Sequence, residues 1–431
     1  MKRSIVWFKT DLRLHDNETL VQAIAKSDEI IPVYCFDVGL FSRNAFGFKK
    51  TGSFRTQFLL ESLIDLDKNL RLLGSGLIIL KGKPEVEIAV LAKKYEVKKV
   101  FSKKEVAHEE ITLQSLVEKE LWKQNCYLET YSTGTLYYAQ DLPFALKDIP
   151  DIFTKFKKRL KQDSEIKNAI DKPLKINSLT IEPMVLPSFE ELGVPKLKID
   201  KRAAISFIGG ESEAWKRLNY YFFETKFLSQ YKETRNGLIG SDYSTKFSAW
   251  LALGCISARS IYSEIKKYEK ENTANDSTYW LIFELLWRDY FRFMMKKHQH
   301  KYFLQNGINP LDIGLNTHNS NLFETWQNGK TGVDFIDANM NELKLTGFMS
   351  NRGRQNVASY LCNNLKLDWR YGAAYFEEQL IDYDVCSNWG NWAYLAGVGN
   401  DPRANREFNI EKQANDYDKN RKYRNLWLSK I

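Results

Sequence analysis

The sequence predicts an α/β domain built on a parallel, Rossmann-like sheet, followed by an all-helical domain. Three observations predict it. Up to about residue 132, short β-rich runs alternate with amphipathic stretches, the pattern of strands joined by covering helices. From Ala203 onward no strand alternation returns, and the apolar residues keep helical spacing. Between the two, residues 131 to 202 hold six of the ten prolines among lysines, which marks a connector. A chain of 431 residues is too long for one core, and the expected division is 1–132, 133–202 and 203–431.

In order, SIVWF, IIPVYCF, GLIILKG, KKVFSK and CYLETYS read as strands. The stretches from Ser53 to Leu73, Glu85 to Tyr95 and Glu109 to Lys123 place Leu, Ile, Val and Phe at helical intervals. No GxGxxG follows the first strand, so a dinucleotide held in the usual Rossmann manner is not expected. In the connector, FTKFKKRLKQ reads as a short basic helix with a solvated face. In the second half AWKRLNYYFF, SAWLALGCISARSIYSEIKKY, YWLIFELLWRDYFRFMMKKH, VDFIDANMNEL and VASYLCNNL read as helices.

Composition narrows the function. Hydrophobic residues at 43% and charged residues at 27% fit a globular chain. No apolar run approaches the roughly 20 residues of a bilayer span, and the N-terminus lacks a secretory pattern. A cytoplasmic protein without a membrane partner is expected. Five widely spaced cysteines with no CxxC pair argue for buried thiols and against a metal site. A net charge of +9 with 14% aromatic residues equips a surface for nucleic acid, and a basic surface also serves solubility alone.

Three stretches carry chemistry. In YKETRNGLIGSDYSTKFSAWLALG, Tyr231 and the run Ser244, Thr245, Lys246, Phe247, Ser248 flank a glycine-containing loop before a helix. Such hydroxyls and amides cradle a diphosphate, or simply cap the helix. In FELLWRDYFRF, Glu284, Trp287 and Arg288 share one helical face, an odd set for a core unless something polar binds there. The third runs from Leu345 to Arg403 and is dense in Trp, Tyr and Asn. Asn351, Arg354 and Gln355 share a face there, and Asp382, Asp384 and Asn388 follow, the two aspartates being candidate partners for Arg354. Polar and aromatic groups at helical spacing suit a buried ligand with a flat ring system.

Over essentially its whole length the chain resembles the photolyase/cryptochrome flavoproteins, and among them the DASH cryptochromes. The motifs that carry the resemblance are VWFKTDLRLHDNETL, YKETRNGL, DYSTKFSAWLALG, FELLWRDYFRF, GKTGVDFIDANMNEL, TGFMSNRGRQNVASYL, LDWR, DYDVCSNWGNW and AGVGNDPR. The resemblance implies a helical domain that binds FAD in a folded, U-shaped conformation. By position, Tyr231, Ser244, Thr245, Lys246, Phe247 and Ser248 would hold its phosphates and ribityl chain. Leu281, Glu284, Arg288, Asn351, Arg354, Asp382, Asp384 and Asn388 would surround its rings, with Asn388 facing the flavin N5. Trp392 and Trp369 match the inner and middle tryptophans of the family's electron wire. The outer position aligns with Asn316, so Trp326 or a nearby tyrosine substitutes, or photoreduction is slow.

The resemblance also implies a substrate. Glu284, Trp287, Asn351 and Arg352 match the lesion-contacting set of enzymes that repair cyclobutane pyrimidine dimers by flipping them from the stack. Gln355 stands where duplex-repairing members have methionine, and Tyr394 where they have tryptophan. Both changes weaken stacking and favour single-stranded DNA, since stacking is worth about 1–3 kcal/mol per base. Enzymes of the pyrimidine–pyrimidone photoproduct need a histidine at Asn351, so that activity is not expected. Glu109 and Glu110 match the family's folate site, which implies methenyltetrahydrofolate as antenna, although acidic residues also simply favour a helix N-terminus. A monomeric, light-dependent repair enzyme is expected. The alternative is a blue-light photoreceptor that binds nucleic acid without repairing it, and a chain that stops at Ile431, with RKYRNLWLSKI, is expected to leave little room for a signalling tail.

Overall fold

The computed structural model describes residues 2–309, 318–401 and 407–429. Five strands, β1 (Arg3–Phe8), β2 (Glu29–Asp37), β3 (Ile78–Gly82), β4 (Lys99–Lys103) and β5 (Tyr127–Tyr131), form one parallel sheet in the order β3-β2-β1-β4-β5. Ile5 pairs with Ile31 and Val100, so the apolar centres of β1, β2 and β4 coincide. Helices α1 (Glu18–Lys26), α2 (Ser53–Leu72), α3 (Pro84–Lys94) and α4 (His108–Trp122) connect the strands. The first, capped by the Asn17 side chain, sits in a stretch that the sequence reading had not assigned.

Strand alternation gives the sheet two faces. Ile5, Trp7, Ile31 and Val33 pack with Ile88, Leu91, Val117 and Leu121 of α3 and α4 in a core of their own. Val6, Phe8, Tyr34 and Phe36 face the other way, against Leu20, Phe58 and Leu63 of α1 and α2. That second core continues without a break into the helical half, where it includes Trp250, Tyr290 and Trp326. Polar ties reinforce the junction. Arg13 donates to the carbonyls of Gly254 and Thr133, and Asp16 forms a fully buried ion pair with Arg259 at 2.7 Å.

After the sheet, α5 (Phe153–Asp163) buries Phe153, Phe156 and Leu160 and packs against the long helix Asp276–His298. The expectation of a merely solvated basic helix therefore fails on its apolar side, which the three-and-four spacing of those residues builds. The helical half contains α6 (Glu211–Asn219), α7 (Tyr231–Thr234), α8 (Ser248–Ala252), α9 (Ala258–Glu271), α10 (Asp276–His298) and α11 (Ser320–Gln327). It continues with α12 (Asp334–Thr346), α13 (Asn351–Ser359), α14 (Trp369–Gln379), α15 (Val385–Leu395), α16 (Ile410–Tyr417) and α17 (Lys422–Leu428). Gly347 ends α12 at φ +69°, where an added Cβ would strike the Phe54 ring of α2. The chain thus turns sharply towards α13, which opens the site.

Candidate functional site

Three helix starts set the geometry. Asn275 caps α10 through the amides of Ser277 and Thr278. Ser350 caps α13 at the Gly353 amide, and Asp384 caps α15 at the Ser387 amide, 2.8 Å away. From these fixed ends, α10 presents Leu281, Glu284, Trp287 and Arg288, and α13 presents Asn351, Arg354 and Gln355. With Tyr231, Thr245, Phe247, Ser248, Asp382 and Asp384 they line a cavity of about 430 Å³. A second lobe of about 90 Å³ shares several of these residues and adds Asn388 and Trp392.

Buried charge pairs hold the floor. Arg354 Nη2 donates to both Asp382 oxygens, at 3.0 and 2.8 Å, and its Nε donates to the Met349 carbonyl. The Asp382 side chain is 1% exposed, so the pair is held away from water at one end. Asp384 accepts from Arg292 at 3.1 Å. Burial pushes its carboxyl up, but Arg292, Arg288 and the Ser387 amide outweigh burial and bring it down to about 2. Asn388 is buried and donates its amide to the Ala373 carbonyl, which fixes the side chain. Arg288 is anchored to the carbonyls of Gly134 and Leu251.

The mouth is built differently. Glu284 pairs with Arg235 at 2.7 Å; burial pushes its carboxyl up while Arg235 pulls it down, and burial prevails. The Trp287 indole is stacked on Phe153 at 3.7 Å and 11°, and Tyr394 meets it edge-on at 5.9 Å. One indole face is therefore covered, and the remainder turns to the cavity.

Several expected site residues lie elsewhere. Ser244 and Lys246 are not among the cavity-lining residues. The Ser244 carbonyl accepts from Arg217, and the buried Lys246 ammonium lies 3.1 Å from the Tyr243 ring centroid with no hydrogen-bond acceptor among the described residues. Burial drives its pKa well down. Arg352 turns outward to Asn236, Gln355, Gln413 and the Tyr417 ring. Sequence reasoning missed Arg235 and Arg292, although Arg292 follows Arg288 by four residues on one helix and spacing alone marks the pair. It also missed Phe153, whose stacking on Trp287 crosses 134 residues of sequence and leaves no local signal.

Trp392 presses on α14 where Gly372 leaves room: a Cβ there would come within 2.3 Å of the ring. One turn earlier in α14, Trp369 is buried and donates to the Gln305 carbonyl. Trp326 lies 6.2 Å from Trp392 but has no exposed surface, so it is no exit to solvent. Asn316 lies outside the described residues.

A second cavity, of about 630 Å³, is lined by residues of both the sheet domain and the helical half. Glu109 and Glu110 both line it. Glu109 is exposed and pairs with Lys50, whereas Glu110 turns inward, and burial with nearby Glu105 raises its carboxyl to about 7. Burial would raise Glu105 too, but Lys103, Lys9 and Arg292 hold it down at about 2. Asp384 and Arg292 line this cavity as well, so they form part of the wall between the two sites.

The donor set of the first cavity has a definite polarity. Hydroxyls of Thr245 and Ser248 stand on one part of the lining, paired charges and Asn388 on another, with Leu251, Leu281, Leu285 and Leu395 among them. This suits a ligand that carries both a diphosphate and a flat polar ring system.

Comparison with known proteins agrees. Residues 4–175 match the family model of DNA photolyase, and residues 280–431 match that of the FAD binding domain of DNA photolyase. The chain is 47% identical to the cryptochrome DASH of Gloeobacter violaceus over all of this chain and 86% of that one. It is 48% identical to the cryptochrome DASH of Xenopus laevis, over 99% of this chain and 82% of the relative. Among solved structures, the Synechocystis cryptochrome superposes with a TM-score of 0.95 at 45% identity, covering 99% of this chain and 89% of that one. A class III photolyase from Agrobacterium tumefaciens, at 24% identity and a TM-score of 0.84, shares the fold over 99% of this chain and 86% of its own.

Proposed function

Because the chain belongs to the DASH cryptochromes of the photolyase family, we propose that it repairs cyclobutane pyrimidine dimers under blue light, preferring single-stranded DNA. The observation that carries this reading is the open cavity with a charge-paired floor and an aromatic, carboxylate-bearing mouth. Tyr231, Thr245, Phe247 and Ser248 would hold the phosphates and ribityl chain of FAD, and Leu281, Arg288, Asn351, Asp384 and Asn388 would hold its rings. Bound in reduced form and excited by light, FAD supplies the electron that splits the dimer.

The chain's own groups do the rest. Arg354, anchored by Asp382, places a positive charge on the cavity floor, where it would stabilise negative charge on a bound ring. Glu284, held at the mouth by Arg235, would hydrogen-bond the flipped base. Trp287 offers the lesion a stacking surface already stiffened by Phe153. Gln355 and Tyr394 make the mouth less apolar than a methionine and a tryptophan would, so less stacking energy offsets unpairing of a duplex. Trp392 and Trp369 would serve photoreduction. Tyr371, half-buried and linked to Trp326 through Phe323 at 5.5 and 5.9 Å, is the tyrosine we assign to its outer end. The interdomain cavity would take methenyltetrahydrofolate through Glu109 and Glu110, visible as a near-ultraviolet band beyond that of FAD.

A second reading, a blue-light photoreceptor, is favoured by the softened mouth alone. Blue-light assays on dimer-containing oligonucleotides separate the two. Repair of single strands supports the enzyme; no repair of either substrate by fully reduced protein leaves the receptor.

A further inference from the structure

The row of rings on α10 does not end at the mouth. Moving away from Trp287 by three- and four-residue steps, α10 carries Phe283, Trp280 and Tyr279, each half-buried. Helix α5 runs in step with this row. Phe153 stacks on Trp287, the Lys157 ammonium stands 4.9 Å over Phe283, and that of Lys161 stands 4.2 Å over Tyr279. On Trp280, Lys232 and Arg235 stand 5.3 and 5.2 Å from the ring. The outward side of α5 adds exposed Lys155, Lys158 and Arg159, the last 5.3 Å over the Phe144 ring, and none of the five α5 cations has a carboxylate ion pair among the described residues. Rings interleaved with cations that no carboxylate holds are the equipment of a single-strand groove: bases stack on the rings, and lysines reach the phosphates.

We propose that α5 and the outer half of α10 form a track for single-stranded nucleic acid that leads to the mouth at Trp287. From Tyr279 to Trp287 the helix rises about 12 Å, room for about three stacked bases. A duplex cannot use the track, because its bases are already stacked and paired. The track rests on the repair reading only for its direction, since the strand is taken to end at the lesion site.

The test uses the FAD-loaded protein and an undamaged, dye-labelled oligo(dT) 12-mer, with anisotropy read across a salt series. The double variant Lys157→Ala/Lys161→Ala is expected to bind roughly tenfold more weakly at 0.1 M salt. Its salt slope should be shallower by about 1.4, which is about 0.7 for each lost phosphate contact on a single strand. Tyr279→Ala is expected to lose about fivefold or more in affinity with the slope unchanged, the mark of lost stacking rather than lost charge. Lys157→Arg/Lys161→Arg should keep the slope. Repair of an isolated dimer dinucleotide, too short to reach along α10, should stay as in the parent protein. Unchanged affinity and slope in the alanine double variant, with flavin absorbance intact, would overturn the track. So would equal loss of dinucleotide repair, which would put α5 at the mouth alone. If the parent protein repairs no dimer while oligo(dT) binding still falls in the variants, the track stands and the repair reading falls.

Discussion

At the floor of the cavity, Arg354 and Asp382 share two hydrogen bonds at 2.8 and 3.0 Å, and Arg292 fixes Asp384 at 3.1 Å. At the mouth, some of the same helices present a carboxylate–guanidinium pair that is 30% and 21% exposed, and an indole held by stacking. The floor is positioned by groups that pay heavily for losing a partner; the mouth is positioned by contacts that tolerate exchange. The difference teaches where specificity can drift. A ring-binding floor built from buried charges resists substitution, whereas a stacked, half-wet mouth can be retuned residue by residue.

The comparison breaks most visibly at the floor. Asp382→Asn leaves Arg354 without its counter-charge and is expected to cost about 3 kcal/mol of stability, at the lower end for a buried pair because Arg354 is 25% exposed. FAD retention on gel filtration should fall with it. At the mouth, Trp287→Ala should leave the flavin spectrum unchanged and cut repair of single-stranded dimers about 10- to 100-fold, the worth of one lost base stack. A smaller effect is expected from Gln355→Met/Tyr394→Trp, which should raise duplex repair several-fold relative to single-strand repair.

The smallest expected effect concerns the wall between the two cavities. Glu110 holds its proton up to about pH 7, against an ordinary value of 4.5. Between those values the folded chain binds more protons than the unfolded one, so stability falls as pH rises across the window. Glu110→Gln, which keeps an acceptor for the Ala107 amide, should therefore melt higher than the parent at pH 8 by on the order of 1 kcal/mol, and identically below pH 4.5. Glu342, Glu377 and Asp289, also raised to about 7 by burial, add to the same slope in both proteins.

The alternation of strands and helices was legible because a doubly covered parallel sheet writes continuous apolar runs into its strands, as IIPVYCF in β2 shows. The stripes of α10 and α13 were legible because Glu284, Trp287 and Arg288 lie within about a turn of each other on one helix, and Asn351, Arg354 and Gln355 on the other. What escaped was set by contacts remote in sequence. Lys246 belongs to the loop of Thr245 and Ser248, yet its backbone turns through φ +61° and sends the ammonium under Tyr243. Arg352 sits one residue from Asn351, and one residue on a helix is about 100° of rotation, enough to take it off the cavity face. The buried side of α5 looked like a charge run because its lysines outnumber the three residues that seat it.

The central claim, a repair site whose mouth favours unpaired DNA, is tested most directly by one comparison. Fully reduced protein is illuminated with blue light on the same dimer-containing sequence, once as a single strand and once as a duplex. The proposal predicts that the single strand is repaired faster, by a factor of roughly 10 for each 1.4 kcal/mol of unpairing cost that the duplex alone bears. Equal rates on both substrates, or no repair of the single strand, would contradict it.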